Sequence, residues 1–386
     1  MQWGLGIHSR HERDTLGCME PVTHFLTGAC IGRAGLNRKT KYATLVAVLA
    51  AEAADIDILW GLRGPVESLK HHRGITHTFL AVPLVAGAAV GVVWLLDRWW
   101  ERQLARKAEA FHQNAKTLPV RWGWLYLTAM IAALSHIALD WTNNYGVRPF
   151  FPINAHWYAG SLVFIAEPLE WALLLVALTV PWLLGLVAGE IGARRTQFRG
   201  RGWAIFALVG IGLLCCWRWV EQTEARSLIE STQVATAAVK RIGLEPYPLN
   251  PYRWHAILET ADYFQTAEVN IWTGEIVSDP HRDVIYKPAA DAAVEVAKRT
   301  PLGQVFLDWG RWAVVRDVGQ VTAPGMDPPQ LPPGRLWTTV EFDDLRFDYS
   351  YLGAERKQTQ SPLSGWVYVI DGRDDAGESL HGREQQ

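Results

Sequence analysis

The 386-residue chain carries 37 basic and 39 acidic side chains, and a net charge of −2 excludes the basic footprint of a nucleic-acid binder. A 49 % hydrophobic content and a mean hydropathy near zero would suit a soluble protein. That average conceals a split, because apolar residues crowd the chain before residue 221 and charged ones follow it. The length suits two units rather than one. The four cysteines, Cys18, Cys30, Cys215 and Cys216, form no CxxC pair, so neither a zinc ribbon nor a disulfide framework is expected.

Residues 1–18 are polar, lack the apolar core of a signal peptide, and read as a disordered extension before an alternative start at Met19. Apolar stretches follow at 23–35, 42–60, 78–96, 122–140, 162–188 and 203–220. The last four approach the ~20 residues that span a bilayer core, whereas 23–35 is short and reads as a tilted or half-inserted helix. Trp99, Trp100, Trp122, Trp124, Trp217 and Trp219 flank these runs, as amphipathic rings do at membrane interfaces. Basic residues gather in the turn at 37–41 and in the loops at 97–121 and 190–202. If 23–35 and 42–60 form a hairpin, these loops share one side, which the positive-inside rule makes cytoplasmic. The segments at 61–77 and 141–161 and the tail then face outward, although Arg63, Lys70 and Arg73 run against that orientation.

Beyond residue 220 the pattern changes. Residues 221–242 read as an amphipathic helix ending at Gly243, and Glu245–Pro251 as a Pro-rich linker. Alternating runs at 254–264 and 266–272, closed by Thr273-Gly274, read as a hairpin. Residues 288–300 look helical, 323–335 is a Pro/Gly-rich loop, and 336–349 and 365–370 are strand-like. Asp343–Phe347 reads as a strand with its charges exposed, and His255, His281 and His381 as surface residues. The expected architecture is mainly α: a polytopic membrane bundle of five to six helices over 19–220, a small α+β extracytoplasmic domain over 221–370, and a disordered end over 371–386.

Charged side chains within apolar segments are expensive and mark function. Here they form four groups: His24; Asp55 and Asp57; His71, His72 and His77; and His136 with Asp140. Residues four apart share one helix face, so His136 and Asp140 can address one ion, and imidazole with carboxylate suits zinc or manganese. Asp55 and Asp57 diverge on a helix. Asp57 is therefore taken as the ligand, with Asp55 behind it or bridging a second ion. In the hairpin arrangement all four groups emerge at the outer face.

The blocks Thr23-His24-x3-Gly28, Ala54-Asp55-Ile56-Asp57, His72-Arg73-Gly74-Ile75-Thr76-His77 and Ser135-His136-x3-Asp140, with Asn143–Pro149 downstream, resemble the YdjM-like family of inner-membrane-associated metal-dependent hydrolases. The resemblance covers about residues 19–220. That family is distantly similar to zinc-dependent phospholipase C and related nucleases, which implies a helical core with clustered metals cleaving phosphodiesters. It also implies His24, Asp57, His77, His136 and Asp140 as ligands. Glu167-Pro168 stands where an Asp-Pro pair belongs, and Pro152–Trp157 lacks an Asp-Arg pair but offers His156, so Glu167 and His156 join as further ligand candidates.

The function so implied is hydrolysis of a phosphoester, a lipid headgroup or similar amphiphile, by a metal-activated water at the outer face of the bacterial inner membrane. Asp55 is cast as general base, Arg73 and His72 as substrate-binding or catalytic groups, and Thr76, Asn143 and Tyr145 as orienting residues. The rivals are a structural or sensory protein with a degenerate site and a metal transporter.

Overall fold

The structure is a computed structural model that describes residues 15–107, 118–190, 200–287, 291–349, 363–380 and 383–384. The N-terminal half is helical. Helices α1 (Thr15–Arg33) and α2 (Ala43–Glu52) precede a 3-10 segment, Ala53–Arg63, then α3 (Pro65–His71), a 3-10 turn at Ile75–His77, α4 (Val82–Lys107) and α5 (Trp122–Thr142). Helices α6 (Pro168–Glu190) and α7 (Arg201–Ser231) complete the bundle. Among the described residues, α4, α5, α6 and α7 are long and apolar enough to cross a membrane. They present large apolar side chains outward, such as Leu84, Trp182 and Leu213, as a surface bathed in lipid requires.

The hairpin expected of the first two segments is present, with different lengths. Helix α1 is longer than the predicted 23–35 stretch, and α2 stops at Glu52, well short of residue 60. Small residues let these helices approach closely: a Cβ at Gly28 would lie 2.8 Å from the carbonyl oxygen of Ala47.

One end of the bundle collects the basic loops. The Lys41 backbone N–H donates to Pro119, that of Arg121 donates to the Thr40 hydroxyl at 2.8 Å, and Arg201 Nε donates to the Ala34 carbonyl at 3.2 Å. The opposite end carries the 3-10 segments, α3 and the loop after α5, and there the C-terminal half docks.

That half holds two antiparallel sheets. The first comprises β1 (Arg241–Pro246), β2 (Arg253–Glu259), β3 (Tyr263–Asn270), β4 (Glu275–Val277) and β5 (Val284–Tyr286), in the order β1-β2-β3-β4 with β5 also on β3. Helices α8 (Ala292–Ala297) and α9 (Pro301–Trp309) lead to β6 (Ala313–Asp317), β7 (Trp337–Asp344), β8 (Gly365–Ile370), β9 (Asp374–Leu380) and β10 (Arg383–Glu384), ordered β10-β9-β8-β7-β6.

Several sequence expectations are corrected here. Helix α7 runs through residue 220 as far as Ser231, because Ala225 and Ile229 enter the core of the first sheet with Trp254, Leu258 and Val269. Gly243 lies inside β1 rather than ending a helix, and residues 374–380, expected to be disordered, pair along β8. Residues 1–14 lie outside the described residues. His255 is buried, with Nε2 3.1 Å from the Leu345 carbonyl, and Asp343, Asp344 and Arg346 point inward. The second sheet's core, with Phe306, Phe342, Val367 and Val369, is continuous with Val66, Leu69 and Tyr145 of the helical half.

Candidate metal centre

At the end of the bundle where the sheets dock, four chain segments bring His and Asp side chains together. His24 comes from α1, Asp55 from the 3-10 segment after α2, His77 from the turn before α4, and His136 and Asp140 from one face of α5. The His24 and His136 rings stack with centroids 3.7 Å apart, and the His77 ring lies 4.8 Å from His136. Ligand atoms of His24, Asp55 and His136, and likewise of His77, His136 and Asp140, lie within 4.8 Å of one another. The two groups share His136 and so form one centre.

Proton positions follow from the partners. His136 Nδ1 lies 2.6 Å from the Ala51 carbonyl, which can only accept, so Nδ1 carries a hydrogen and Nε2 is the atom turned to the carboxylates. His77 Nδ1 lies 3.3 Å from Asp57 Oδ2, which orients that ring in the same way. His136 Nε2 then sits 3.4 Å from Asp140 Oδ2 and 3.6 Å from Asp55 Oδ1, while His77 Nε2 sits 3.3 Å from Asp55 Oδ1. Ring nitrogens of two imidazoles and oxygens of two carboxylates thus converge in one space, where the His77 Nε2–Asp55 Oδ1 hydrogen bond holds a single shared proton. Among the described residues, His136 Nε2 and Asp140 Oδ2 lack a hydrogen-bond partner, while Asp140 Oδ1 meets Arg73 Nη2 at 3.0 Å. Such convergence is unfavourable unless a proton or a metal cation occupies it, and mixed nitrogen and oxygen donors suit zinc or manganese. The residues present therefore fit a transition-metal ion.

Around this ring lie the groups that hold it. The Asp57 carboxylate accepts the Arg73 backbone N–H at 2.7 Å and fixes His77 from behind, the usual place for a carboxylate supporting a metal-bound histidine. Burial raises the Asp55 carboxyl, but the hydrogen bond with His77 and the neighbouring His136 and His24 outweigh it and hold it well below the ordinary range. Arg73 is fully buried. Its Nη2 lies 3.0 Å from Asp140 Oδ1, and its Nη1 donates to the Gly146 carbonyl at 2.5 Å and to Asn143 Oδ1 at 3.3 Å.

Some sequence assignments change as a result. Asp55, not Asp57, belongs to the clustered ligand atoms, while Asp57 backs the far nitrogen of His77. Arg73 cannot meet a substrate and instead holds Asp140; its backbone takes the left-handed conformation at φ 49°, which turns the guanidinium inward. His156 stands on an exposed loop against the Tyr158 ring, apart from the cluster. Glu167 lies outside it as well, its Oε1 accepting the Leu169 N–H at the start of α6. Glu170, one turn on and buried, lines a water-sized cavity of about 10 Å³ beside His24, Thr23 and Asn143. Its position inside an apolar helix was the only sequence signal for it. His72 keeps a solvent-facing edge, with Nδ1 3.6 Å from Asp57 Oδ1 and its ring edge-on to Tyr145.

The fold and this centre define a multi-span helical membrane protein with a buried His/Asp cluster of metal-ligating geometry. The family model of the YdjM inner membrane protein matches residues 19–225, more than half of the chain. The chain belongs to the YdjM inner membrane protein family, as its His and Asp blocks suggested. It is also similar to the uncharacterized protein YfhP of Bacillus subtilis (strain 168), at 25 % identity over 175 residues. That match takes in 43 % of this chain, and the chain spans about half, 47 %, of the relative's length. No solved structure matches.

Proposed function

We propose that the chain is a membrane-bound, metal-dependent hydrolase that cleaves a phosphoester of an amphiphilic substrate. The observation that carries this reading is the pair of ligand groups, His24 with Asp55 and His136, and His77 with His136 and Asp140, that share His136 and each bring three ligand atoms within 4.8 Å of one another. These five residues would hold zinc, with manganese as the alternative. Bound there, the ion supplies Lewis acidity and a water of lowered pKa.

The chain's own groups do the rest. Ala51 and Asp57 keep the His136 and His77 nitrogens aimed at the ion position, and Arg73 keeps the Asp140 carboxylate turned toward it. Asp55, ionised and partly solvent-facing, accepts the proton of the attacking water. His72, on the solvent side, hands a proton to the departing alcohol. Exposed Ile56, Ile58, Leu59, Leu62, Ile75 and Leu80 surround the acidic segment and suit the apolar part of an amphiphile or the bilayer interface itself. Meeting of the basic loops at the far end supports a cytoplasmic location for that end and an outer-face location for the site and the sheets. A transporter reading is less well supported, because both ligand groups share one end of the bundle.

The test is metal analysis and hydrolysis by detergent-solubilised protein. Wild type retains a transition metal and releases nitrophenolate from a chromogenic phosphodiester with added zinc, while His136→Ala loses both. A wild-type protein without metal ends the proposal, and bound metal without hydrolysis of any ester favours a structural or sensory role.

A further inference from the structure

The C-terminal sheets have no task in the chemistry above, yet they grip the one loop on which a ligand depends. We infer that this domain is a positioning element of the metal centre, with Arg346 as the residue through which it acts; the inference rests on the metal reading above. Arg346 occupies the 3-10 turn Leu345–Phe347 and is 2 % exposed. Its Nη1 donates to the carbonyls of Asn144 and Tyr145, at 3.0 and 3.1 Å, in the loop that follows α5. Its Nη2 donates to the Trp309 carbonyl at 3.2 Å, and its Nε to Asp344 Oδ1 at 2.9 Å.

The same loop holds Arg73. Asn143 Oδ1 accepts the Tyr145 and Gly146 backbone N–H groups at 2.9 and 3.2 Å, and Asn143 Oδ1 and the Gly146 carbonyl both receive Arg73 Nη1. The Tyr145 ring lies 4.9 Å from the Trp309 ring of the tail and 4.8 Å from the Arg73 guanidinium. Arg73 in turn holds Asp140. A continuous set of buried contacts therefore runs from the tail to a ligand carboxylate, with no link left to solvent. Tyr349 adds a second grip, its hydroxyl accepting from Asn144 Nδ2 at 3.2 Å and donating to the Pro246 carbonyl at 3.0 Å.

A loop at a helix end samples many conformations unless something fixes it, and each would move Arg73 and the carboxylate that Arg73 aims. The planar guanidinium of Arg346 reaches the Asn144 and Tyr145 carbonyls from Nη1, the Trp309 carbonyl from Nη2 and Asp344 from Nε, a fork that a lysine ammonium does not reproduce. Docking of the sheets thus preorganises the ligand set.

The test is a Co2+ titration of the full-length protein in detergent, read by its visible d–d bands, whose position reports ligand geometry. Arg346→Met is expected to weaken Co2+ binding about tenfold and shift the bands, the scale seen when an outer partner of a ligand is removed. Tyr349→Phe, a change that spares the fold, is expected to weaken binding about threefold. Val369→Ala, in the tail core but outside the contact path, is expected to lower the melting temperature while leaving affinity and bands unchanged. Should Arg346→Met fail to fold, Tyr349→Phe decides. Wild-type affinity and spectrum in the arginine and tyrosine variants would overturn the inference, as would an equal loss in Val369→Ala. A wild-type protein that takes up no Co2+ removes the metal reading itself.

Discussion

Two buried Arg–Asp pairs stand at the two sides of the docking surface, and they are satisfied to different degrees. In the tail, Asp344 receives Arg346 Nε at 2.9 Å and Nη2 at 3.1 Å, the Arg346 backbone N–H at 2.9 Å, and the Trp312 backbone N–H at 3.3 Å. Every lone-pair direction has a donor. In the membrane half, Asp140 Oδ1 meets Arg73 at 3.0 Å and His24 Nε2 at 3.3 Å, while Oδ2 faces His136 and His77 at 3.4 and 3.6 Å. A carboxylate saturated by donors builds a fold. One whose second oxygen faces only two imidazoles leaves room for the cation proposed above, and that difference separates the two sites more sharply than burial or charge, which they share.

The comparison breaks most directly under isosteric neutralisation. Asp140→Asn is expected to reduce metal affinity at least about 100-fold, the upper end of what loss of a supporting partner costs. Its stability without metal should fall by less than that of Asp344→Asn, because, although Arg73 loses its charge partner, the Asn Oδ1 can still accept from Arg73 Nη2 and the new amide N–H can donate to a His136 or His77 nitrogen. Asp344→Asn should do the reverse. Its amide would face Arg346 Nη2 and the Trp312 N–H, donor against donor, beside an uncompensated buried arginine, at about 3–5 kcal/mol. Metal content and chemical denaturation of both variants check this. If Asp140→Asn unfolds the protein and Asp344→Asn does not, the two pairs have been assigned the wrong way round.

A smaller effect sharpens the account of the ligand ring. Asp57→Asn leaves every group facing the ion in place but weakens the orientation of His77, and metal affinity should fall about 10–100-fold. Isothermal titration with zinc measures it. A complete loss equal to that of Asp140→Asn would return Asp57 to the ring and undo the exchange with Asp55.

That exchange shows where the sequence stops being legible. The four candidate spans were readable because an apolar run of bilayer length has few other uses, and the His136–Asp140 pair because a helix fixes what lies four residues on. The run at 42–60 misled, since its composition is helical while α2 stops at Glu52 and the chain winds on as 3-10 to Arg63. The role of Arg73 depended on a positive φ at a non-glycine residue, which leaves no trace in composition. In the tail, α9 escaped because nine residues opening on Thr300-Pro301 resemble a turn until the Thr300 hydroxyl is seen capping Gly303. The inward turn of Asp343–Arg346 was hidden in the same way, because alternation cannot say that both faces of β7 are covered.

Asp343 supplies the smallest effect, and it tests the tail alone. Burial, with Asp348, Glu341 and Asp344 nearby, pushes its carboxyl up to about 7, against about 4 in an unfolded chain. The folded state then holds a proton that the unfolded state has released between those two values. Stability should fall as pH rises from about 4 to about 7 and level off above, by about 1–3 kcal/mol once the local structure relaxes. Asp343→Asn removes the ionisable group, so its denaturation midpoint should lose that slope and exceed wild type at neutral pH. Metal affinity should not change, because Asp343 touches neither Arg346 nor the loop after α5 in the contacts that hold the centre. A slope that persists in Asp343→Asn would pass the titration to Glu245, whose buried carboxyl is likewise raised to about 7. A simultaneous loss of metal would mean that the tail acts on the centre through more of its core than the Arg346 grip.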